Sequence, residues 1–495
     1  MKLLRYFEKS RDFWFLLIIT FVFFLLRFPS LLEPYWYGDE GIYQTIATAM
    51  NHGSLLYRDI WDNKPPLLYI FYAIFNGDQF SLRLLSLIFG VMSIVVFFFL
   101  IKKIVLLNKT HSTLPTYTAT ALFAFLLAIP LFEGNIANAE NFMILPIVTA
   151  GYLVSSFVQR RSVKGLFYAG FFLSLAFLFK TVAIFDFAAF VLFLFMIVSL
   201  QRRLLVKEIL LLLPIFYGFI LPILLTLLFF AFQGGLYAYI SAVFAQNIGY
   251  VAYGNTFIIP QGLLYIKLLL LLCIILFLFY QRKNISQGSL FIYLWLVFSL
   301  CNAFFSQRPY THYILVFLPS FCLFTILVVE DFTNKIHSSF NIRFIHSGLL
   351  VFLIFLILYN FDIYKKNIAY YQNFCSFIIQ EKSLDSYQRF FDPDVPKDYA
   401  VAQFLRNHTK KNATVFIWGN PAQIYKMSQT LPPGRFTVTY HITHSKENIA
   451  ETKKALDIKE PKFIVIFSSH NFPFNLSSYR YIYSIQGASL YEFIL

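Results

Sequence analysis

Two acidic stretches near the amino end of the chain carry the residue types that acid–base chemistry needs. Asp39 and Glu40 are adjacent, and Asp59, Asp62 and Lys64 follow about twenty residues later. A carboxylate can take a proton from a hydroxyl or an amine, and a lysine can bind a phosphate as a point charge. We therefore predict that Asp39 is a general base beside Glu40, and that Lys64 meets a phosphate.

These assignments have structural alternatives. The two adjacent acids precede apolar residues at helical spacing, so they could simply complement the dipole at the start of a helix. Lys64 precedes two prolines, and it could be an anchor for the helix that those prolines start. Arg58 and Arg83 are expected to be ordinary anchors at the membrane interface.

A second set of candidates stands at the ends of later apolar segments. Glu140 begins the fourth segment, Lys180 ends the fifth, and Arg308 and His312 open the tenth. Arg308 can grip a phosphate with two nitrogens, and His312 can donate to it or bind a metal. The alternatives are an acid at a helix start, a membrane anchor and a structural histidine.

The composition indicates whether the chain is a soluble protein or a membrane protein. Of the 495 residues, 58% are hydrophobic and only 13% are charged, whereas a soluble domain has about 25% charged residues. The mean hydropathy of +0.65 agrees. The chain is therefore predicted to be an integral membrane protein. Because charge is costly in hydrocarbon, acids gathered at the edge of a membrane indicate chemistry.

The chain contains about eleven apolar stretches near the length, about 20 residues, that a spanning helix needs. One shorter stretch, 66–75, predicts a helix that lies in the membrane interface. The first stretch lacks a small-residue cleavage site, so it is expected to be an uncleaved helix. The predicted spans are 12–28, 81–101, 115–132, 141–158, 165–179, 182–200, 208–232, 263–281, 288–304, 312–330 and 344–363.

Basic residues predict the orientation of the chain in the cell membrane. Alternate loops are rich in Lys and Arg, and together with the amino terminus they are expected in the cytoplasm. The net charge of +15 is then mainly a topology signal, and nucleic acid is not expected as a partner. By the same alternation, all the candidate residues fall on the outer face of the membrane.

The composition changes after Tyr364, where polar residues increase and 416–418 and 463–467 read as buried strands. We predict an all-α polytopic membrane domain over residues 1–363, with a catalytic outer loop at 29–80. An extracytoplasmic α/β domain is predicted over residues 364–495. The spacing of the four cysteines indicates neither a disulfide framework nor a zinc site.

The motifs and their order resemble those of membrane glycosyltransferases related to protein O-mannosyltransferases and aminoarabinose transferases. These enzymes form the family 39-like group with the GT-C fold. The resemblance covers nearly the whole chain. It is carried by Gly38-Asp39-Glu40, Asp62-Asn63-Lys64-Pro65-Pro66, Ala139-Glu140, Arg308, His312-Tyr313, Phe416-Ile417-Trp418-Gly419 and Leu431-Pro432-Pro433-Gly434-Arg435-Phe436.

The resemblance implies a polyprenyl- or dolichyl-phosphate sugar as donor, and transfer on the outer face with inversion at the anomeric centre. The acceptor would be a glycan, a lipid or a protein. Dependence on a divalent cation differs within this superfamily, so a metal is left open and no other cofactor is implied. The roles that the resemblance assigns are catalysis for Asp39 and Glu40, the acceptor site for Glu140, Asp59 and Asp62, and donor-phosphate binding for Lys64, Arg308, Lys180 and His312.

A transporter or flippase of lipid-linked sugars is the alternative. Transporters carry ionisable residues or broken helices near the middle of the membrane. The predicted spans are almost free of acids, and the exception is Asp186, which could pair with Lys180 in a structural role. An enzyme would release lipid phosphate from a polyprenyl-phosphate sugar, whereas a transporter would not.

Overall fold

The computed structural model describes residues 10–109, 113–198, 210–248, 255–256, 261–333, 340–467 and 472–494. It is mostly helical with a small carboxy-terminal sheet, which confirms the predicted fold class. The chain divides into two compact units. The helical unit comprises Met1–Phe28, Leu85–Leu228 and Asn247–Asn367, and the mixed unit comprises Pro29–Leu84, Phe229–Gln246 and Ile368–Leu495.

Each predicted span corresponds to a helix. Seven of the described helices are long and apolar enough to cross a bilayer, so the chain is a multi-pass membrane protein. Residues 199–200 and 208–209, at the ends of two predicted spans, lie outside the described residues. The helices are Arg11–Arg27, Gln79–Leu107, Leu114–Ala128, Ala139–Arg160, Val163–Phe179, Ile184–Val198, Leu213–Phe232, Gly262–Gln281, Gln287–Ala303, Leu318–Thr333 and Phe340–Asn360.

Close helix contacts in the helical unit depend on glycine. A β-carbon at Gly170 would overlap the carbonyl oxygen of Ile215, and one at Gly218 would overlap that of Phe167. Helices Val163–Phe179 and Leu213–Phe232 thus approach each other backbone to backbone. Small residues allow this, because helices in lipid associate through van der Waals packing more than through hydrophobic burial.

The buried acid of the helical unit has a different partner from the one expected. Asp186 Oδ1 accepts a hydrogen bond of 2.7 Å from Nε1 of the buried Trp295, and Lys180 pairs with Glu140. The predicted pairing of Asp186 with Lys180 is therefore wrong. The indole supplies the donor that a buried carboxylate needs.

The mixed unit contains a sheet with the strand order β1-β2-β4-β3. Strand β1 (Val415–Trp418) is parallel to β2 (Phe463–Phe467), whereas β4 (Ala488–Phe493) is antiparallel to β2 and to β3 (Tyr479–Ile485). The predicted strands 416–418 and 463–467 are β1 and β2. All four side chains of β1 are buried, as expected for a continuous apolar run in a parallel pair.

Short helices and residues 29–84 belong to the same unit as this sheet. Helix Gly38–Asn51 is held against the carboxy-terminal region, since Thr45 Oγ1 donates to the carbonyl oxygen of Ala422 at 2.8 Å. A β-carbon at Gly41 would lie 2.7 Å from the backbone nitrogen of Gln423, so only glycine permits this approach. The described α-helices with most of their residues in this unit are Gly38–Asn51, Pro66–Ile74, Leu236–Ile240, Asn367–Ile378, Leu384–Arg389, Val395–His408, Gln423–Ser428, Thr439–Ile442 and Lys446–Lys459.

A buried acid makes the stability of the mixed unit depend on pH. Asp398 is 5% exposed and accepts a hydrogen bond of 2.9 Å from Gln423 Nε2. Burial raises the pKa of Asp398 to about 7. The folded state therefore keeps a proton that the unfolded state has lost, and this stability disappears as the pH rises towards and through 7.

We expect Asp398→Asn to remove this pH dependence, because an amide is neutral at every pH. From pH 5 to pH 8.5, the wild-type free energy of unfolding should fall by about 2 to 3 kcal/mol more than that of the variant. The measurement is thermal unfolding of both proteins in detergent at the two pH values. Asp385→Asn, at an exposed acid, is the control; equal pH dependence in all three proteins would contradict the prediction.

Candidate active site

Asp39, Asp62 and Lys64 come together in the mixed unit. Asp39 lies in the first turn of helix Gly38–Asn51, and Lys64 lies just before helix Pro66–Ile74. Lys64 Nζ is 3.3 Å from Asp39 Oδ2 and 3.9 Å from Asp62 Oδ2. The side chain of Asp39 is 34% exposed but that of Asp62 only 5%. Asp39 is thus the carboxylate that a substrate can reach.

Tyrosines hold the two carboxylates in place. Tyr43 Oη donates to Asp39 Oδ2 at 2.9 Å, one helical turn away, and Tyr69 Oη donates to Asp62 Oδ2 at 2.7 Å. Burial, followed by the nearby carboxylate of Asp62, holds the pKa of Tyr69 well above its usual value. Its hydroxyl therefore remains a donor, and these bonds restrict the orientation of each carboxylate.

Glu40 is part of a buried network. It is 1% exposed, and Arg83 donates to it through Nε at 3.1 Å and through Nη2 at 2.5 Å. Arg83 Nη1 also lies 2.8 Å from Glu33 Oε2. The expectation that Arg83 is an interface anchor is wrong, because its side chain is fully buried and neutralises two acids. Catalysis by Glu40 stays a prediction. The ion pair of Glu40 with Arg83 suits a structural role, in which it fixes the start of the helix that carries Asp39.

Asp59 lies at the surface of the same connection. Its carboxylate accepts from Arg58 Nε at 2.8 Å and from the backbone nitrogen of Leu55 at 2.8 Å. The bond from Arg58 holds the pKa of Asp59 below its usual range. The structure leaves this acid 37% exposed and does not place it beside Lys64, so its acceptor-site role stays a prediction.

A second cluster forms in the helical unit, around Glu140. Lys180 donates to Glu140, which is 1% exposed at the start of helix Ala139–Arg160. His312 lies between two acids, with Nδ1 2.9 Å from Glu133 Oε2 and Nε2 3.8 Å from Glu140 Oε1. Lys180 Nζ also lies 4.1 Å from the ring centre of Tyr313. Three predicted site residues are therefore brought together here.

Arg308 lies in the half-buried segment between helix Gln287–Ala303 and the short 3-10 helix Thr311–Ile314. A lysine from helix Gly262–Gln281 fixes that segment, since Lys267 Nζ donates to the carbonyl oxygen of Phe304 and to Gln307 Oε1, each at 2.6 Å. The position of Arg308 is thus constrained by its neighbours. Its binding of a donor phosphate stays a prediction, as does the convergence of both clusters in one pocket.

Sequence reasoning missed several residues of these clusters. Tyr43 and Tyr69 could have been found from their spacing of four and seven residues after Asp39 and Asp62, which places each near its acid. Glu133 stands in the same predicted outer connection as Glu140 and offered a weaker signal. Nothing in the sequence pointed to Arg83 as a partner of acids more than forty residues away.

The described residues do not include a cluster of three or more His, Cys, Asp or Glu side chains that could hold a metal ion. Dependence on a divalent cation, which the resemblance leaves open, stays a prediction. Lys64 supplies a cation within ion-pair distance of Asp39 and Asp62.

Two family models match parts of the chain. A model described as dolichyl-phosphate-mannose-protein mannosyltransferase matches residues 64–226, a segment that begins at Lys64 and includes Glu140 and Lys180. A second model, described as the competence-induced protein Ccs4 C-terminal domain, matches residues 397–480. No curated protein matches the chain by sequence. The resemblance seen in the motifs is thus confirmed for residues 64–226.

The fold is similar to that of solved membrane proteins. ArnT from Cupriavidus metallidurans, in the apo state and bound to undecaprenyl phosphate, matches with a TM-score of 0.53 and 12% identity, over 97% of this chain and 98% of the other. AglB from Archaeoglobus fulgidus, in complex with an inhibitory peptide and a dolichol-phosphate, matches at 0.44 and 12% identity over 93% of this chain and 70% of the other. The second similarity is too weak to support a conclusion. The similarity to ArnT confirms the GT-C fold.

Proposed function

We propose that this chain is a membrane glycosyltransferase that moves a sugar from a polyprenyl- or dolichyl-phosphate donor to an acceptor on the outer face of the membrane. The observation that carries the proposal is the pair of Asp39 and Lys64, a reachable carboxylate 3.3 Å from a cation. The match of residues 64–226 to a mannosyltransferase model and the GT-C fold support it. A glycan, a lipid or a protein is the acceptor.

The reaction is a displacement at the anomeric carbon of the sugar. An acceptor hydroxyl or amine attacks this carbon while its proton passes to the carboxylate of Asp39. The bond between the anomeric carbon and the phosphate oxygen breaks, and the lipid phosphate leaves with both bonding electrons. Attack opposite the leaving group inverts the anomeric centre. A carboxylate held by Tyr43 is already oriented for this proton transfer.

The leaving group determines which cations the site needs. A lipid phosphate gains negative charge as the sugar departs, and fixed cations stabilise that charge without reorganisation. Lys64 is assigned to this role, with Arg308, Lys180 and His312 as further candidates. Lys180 and His312 are each held by a glutamate, so they are positioned before any substrate binds. Glu140 and Asp62, which are buried, would then shape the acceptor side without touching the acceptor.

The orientation of the chain is part of the proposal. The basic residues of alternate loops support an amino terminus in the cytoplasm and a carboxy-terminal region outside. A lipid-linked donor could then reach the outer connection from within the bilayer. The test introduces single cysteines at Asp385 and at Lys283 and treats intact cells with a thiol reagent that does not cross the membrane. We expect the cysteine at Asp385 to be labelled. Labelling only of the cysteine at Lys283 would contradict this orientation.

The experiment that tests the function uses the purified chain in detergent or vesicles. It is mixed with polyprenyl-phosphate carrying mannose, glucose, galactose or aminoarabinose, and released polyprenyl phosphate is measured with and without cell-envelope acceptor. We expect release with at least one sugar, and transfer of that sugar to the acceptor. Translocation of an intact lipid-linked sugar across vesicles without release would favour the transporter instead.

Replacing Lys64 should slow the reaction through loss of charge stabilisation. We expect Lys64→Met to lower kcat by about 10²- to 10³-fold, the effect of removing one preorganised group from a developing anion. The measurement is the initial rate of lipid-phosphate release at saturating donor. Lys397→Met is a matched control, because Lys397 is similarly buried and pairs with Asp394 in the same unit. A Lys64 variant with wild-type kcat would exclude this role.

A further inference from the structure

We propose that Arg435 is a positioning residue of the active site, and that it sets the placement of Asp62 and Lys64 by holding the turn at Tyr57. The inference rests on the proposed glycosyl transfer for its catalytic consequence. The structural part, a clamp between the carboxy-terminal region and the first outer connection, stands on contacts within the mixed unit. Arg435 belongs to the motif 431–436, to which no role has been assigned so far.

The clamp consists of two reciprocal hydrogen bonds. Arg435 Nε donates to the carbonyl oxygen of Tyr57 at 2.9 Å, and the backbone nitrogen of Trp61 donates to the carbonyl oxygen of Arg435, also at 2.9 Å. The Trp61 ring packs against Phe436 and His441, with ring centres 5.7 and 4.8 Å away. Arg435 thus bonds to Tyr57 and to Trp61, at the two ends of the turn that precedes Asp62.

The turn needs such support because its backbone is strained. Tyr57 has a φ of 70°, in the left-handed region that residues with a β-carbon rarely adopt. Conformations of this kind persist only where surrounding contacts enforce them. Tyr57 is fully buried, and its Oη donates to the carbonyl oxygen of Lys64 at 2.7 Å. A change at Tyr57 is therefore passed directly to the backbone of Lys64.

Arg435 is suited to this task because its own segment is tied to the sheet at both ends. Before it, Leu431 pairs with the chain beside β1, donating to the carbonyl oxygen of Ala413 and accepting from Val415, each at 3.0 Å. After it, the backbone nitrogen of Thr439 donates to the carbonyl oxygen of Gly419 at 3.0 Å. The segment 431–439 thus runs beside the edge strand β1 and is fixed near both ends of that strand, so it carries the rigidity of the sheet to the turn.

The guanidinium makes a second, weaker contact that has to be separated from the clamp. Arg435 Nη1 lies 3.5 Å from Glu451 Oε2, and these side chains are 25% and 46% exposed. Partly exposed pairs of this kind contribute little. Arg435→Lys keeps a cation for Glu451 but lacks the Nε–H that reaches Tyr57. Comparing Arg435→Lys with Arg435→Met therefore separates the charge from the hydrogen bond.

The test combines a structural readout with a kinetic one on the full-length protein. Hydrogen exchange followed by mass spectrometry reports on peptides covering 55–66, and lipid-phosphate release gives kcat and the donor KM. We expect both Arg435 variants to exchange faster in 55–66 and to lose about 10- to 100-fold in kcat with a nearly unchanged KM, because a small displacement of catalytic groups has effects of this size. Arg480→Met, at an exposed arginine paired with Glu492, is the control.

The outcomes distinguish the inference from the proposed function. If the wild type releases no lipid phosphate from any donor, the proposed function fails, and faster exchange in 55–66 still supports the clamp. Unchanged exchange in both variants overturns the clamp whatever the activity. Faster exchange with wild-type kcat in an active enzyme overturns the positioning role. An unchanged melting temperature in Arg435→Lys shows that any loss of kcat is not a loss of folding.

Discussion

Asp39→Asn is expected to lower kcat by about 10²- to 10⁴-fold, the range that general base catalysis contributes. Asparagine has nearly the same shape and can still accept the hydrogen bond from Tyr43, but it cannot take the acceptor's proton. It also removes the ion pair with Lys64, 3.3 Å away. The measurement is lipid-phosphate release at saturating donor, with donor binding followed separately. We expect binding to change little, since the proton is transferred only during the reaction.

The control for this prediction is Asp385→Asn, which removes an exposed carboxylate from the same unit. That variant should keep wild-type turnover. If Asp39→Asn turns over at the wild-type rate while it is folded and binds donor, Asp39 has no part in the mechanism. If Asp39→Asn instead loses donor binding and keeps its kcat, Asp39 contributes to binding the donor and not to the chemical step. It would then act by orienting Lys64.

Among the substitutions proposed for this protein, Arg83→Met is expected to cause the largest loss of stability. The side chains of Arg83, Glu33 and Glu40 are 0%, 0% and 2% exposed, and the arginine lies 2.8 and 2.5 Å from the two carboxylates. Removing one partner of a buried ion pair costs about 3 to 5 kcal/mol, because a charge remains buried without compensation. We expect a lower apparent melting temperature in detergent and a smaller folded fraction after purification.

Two comparisons separate charge from packing. Arg480→Met removes an arginine that is 74% exposed and should leave the melting temperature unchanged. Combining Arg83→Met with Glu33→Gln and Glu40→Gln should recover much of the stability, since neutral groups can replace a buried ionic network at little cost. If Arg83→Met alone has the melting temperature of the wild type, the network of Arg83, Glu33 and Glu40 does not stabilise the structure around Asp39.

The membrane architecture could be predicted from the sequence because it depends on local composition. The predicted span 81–101 lies within helix Gln79–Leu107, and the predicted span 263–281 coincides with helix Gly262–Gln281 to within one residue. An apolar run must form a helix in a bilayer, since each backbone group needs a partner within the segment. The strands 416–418 and 463–467 were recognisable for a similar reason, as short apolar runs between polar stretches.

The candidate site was predictable only in part. Asp39 and Lys64 were expected in one outer connection, but their distance of 3.3 Å comes from the packing of helix Gly38–Asn51 beside helix Pro66–Ile74. Arg83 was misjudged as an anchor, because a buried arginine and an interfacial one follow similar apolar patterns. Its partner Glu33 is fifty residues away, and no spacing rule joins residues so distant.

The membrane environment and the helices could be predicted from the sequence, since both follow from the transfer free energy of each segment. The residue types available for chemistry can be read from it directly. The partners of the charged side chains became known from the folded structure: Lys64 pairs with Asp39, Arg83 pairs with Glu33 and Glu40, and Arg435 donates to the carbonyl oxygen of Tyr57. A buried charge or an unsupported strained turn is costly, so each must find a partner. Which partner it finds depends on how distant segments pack.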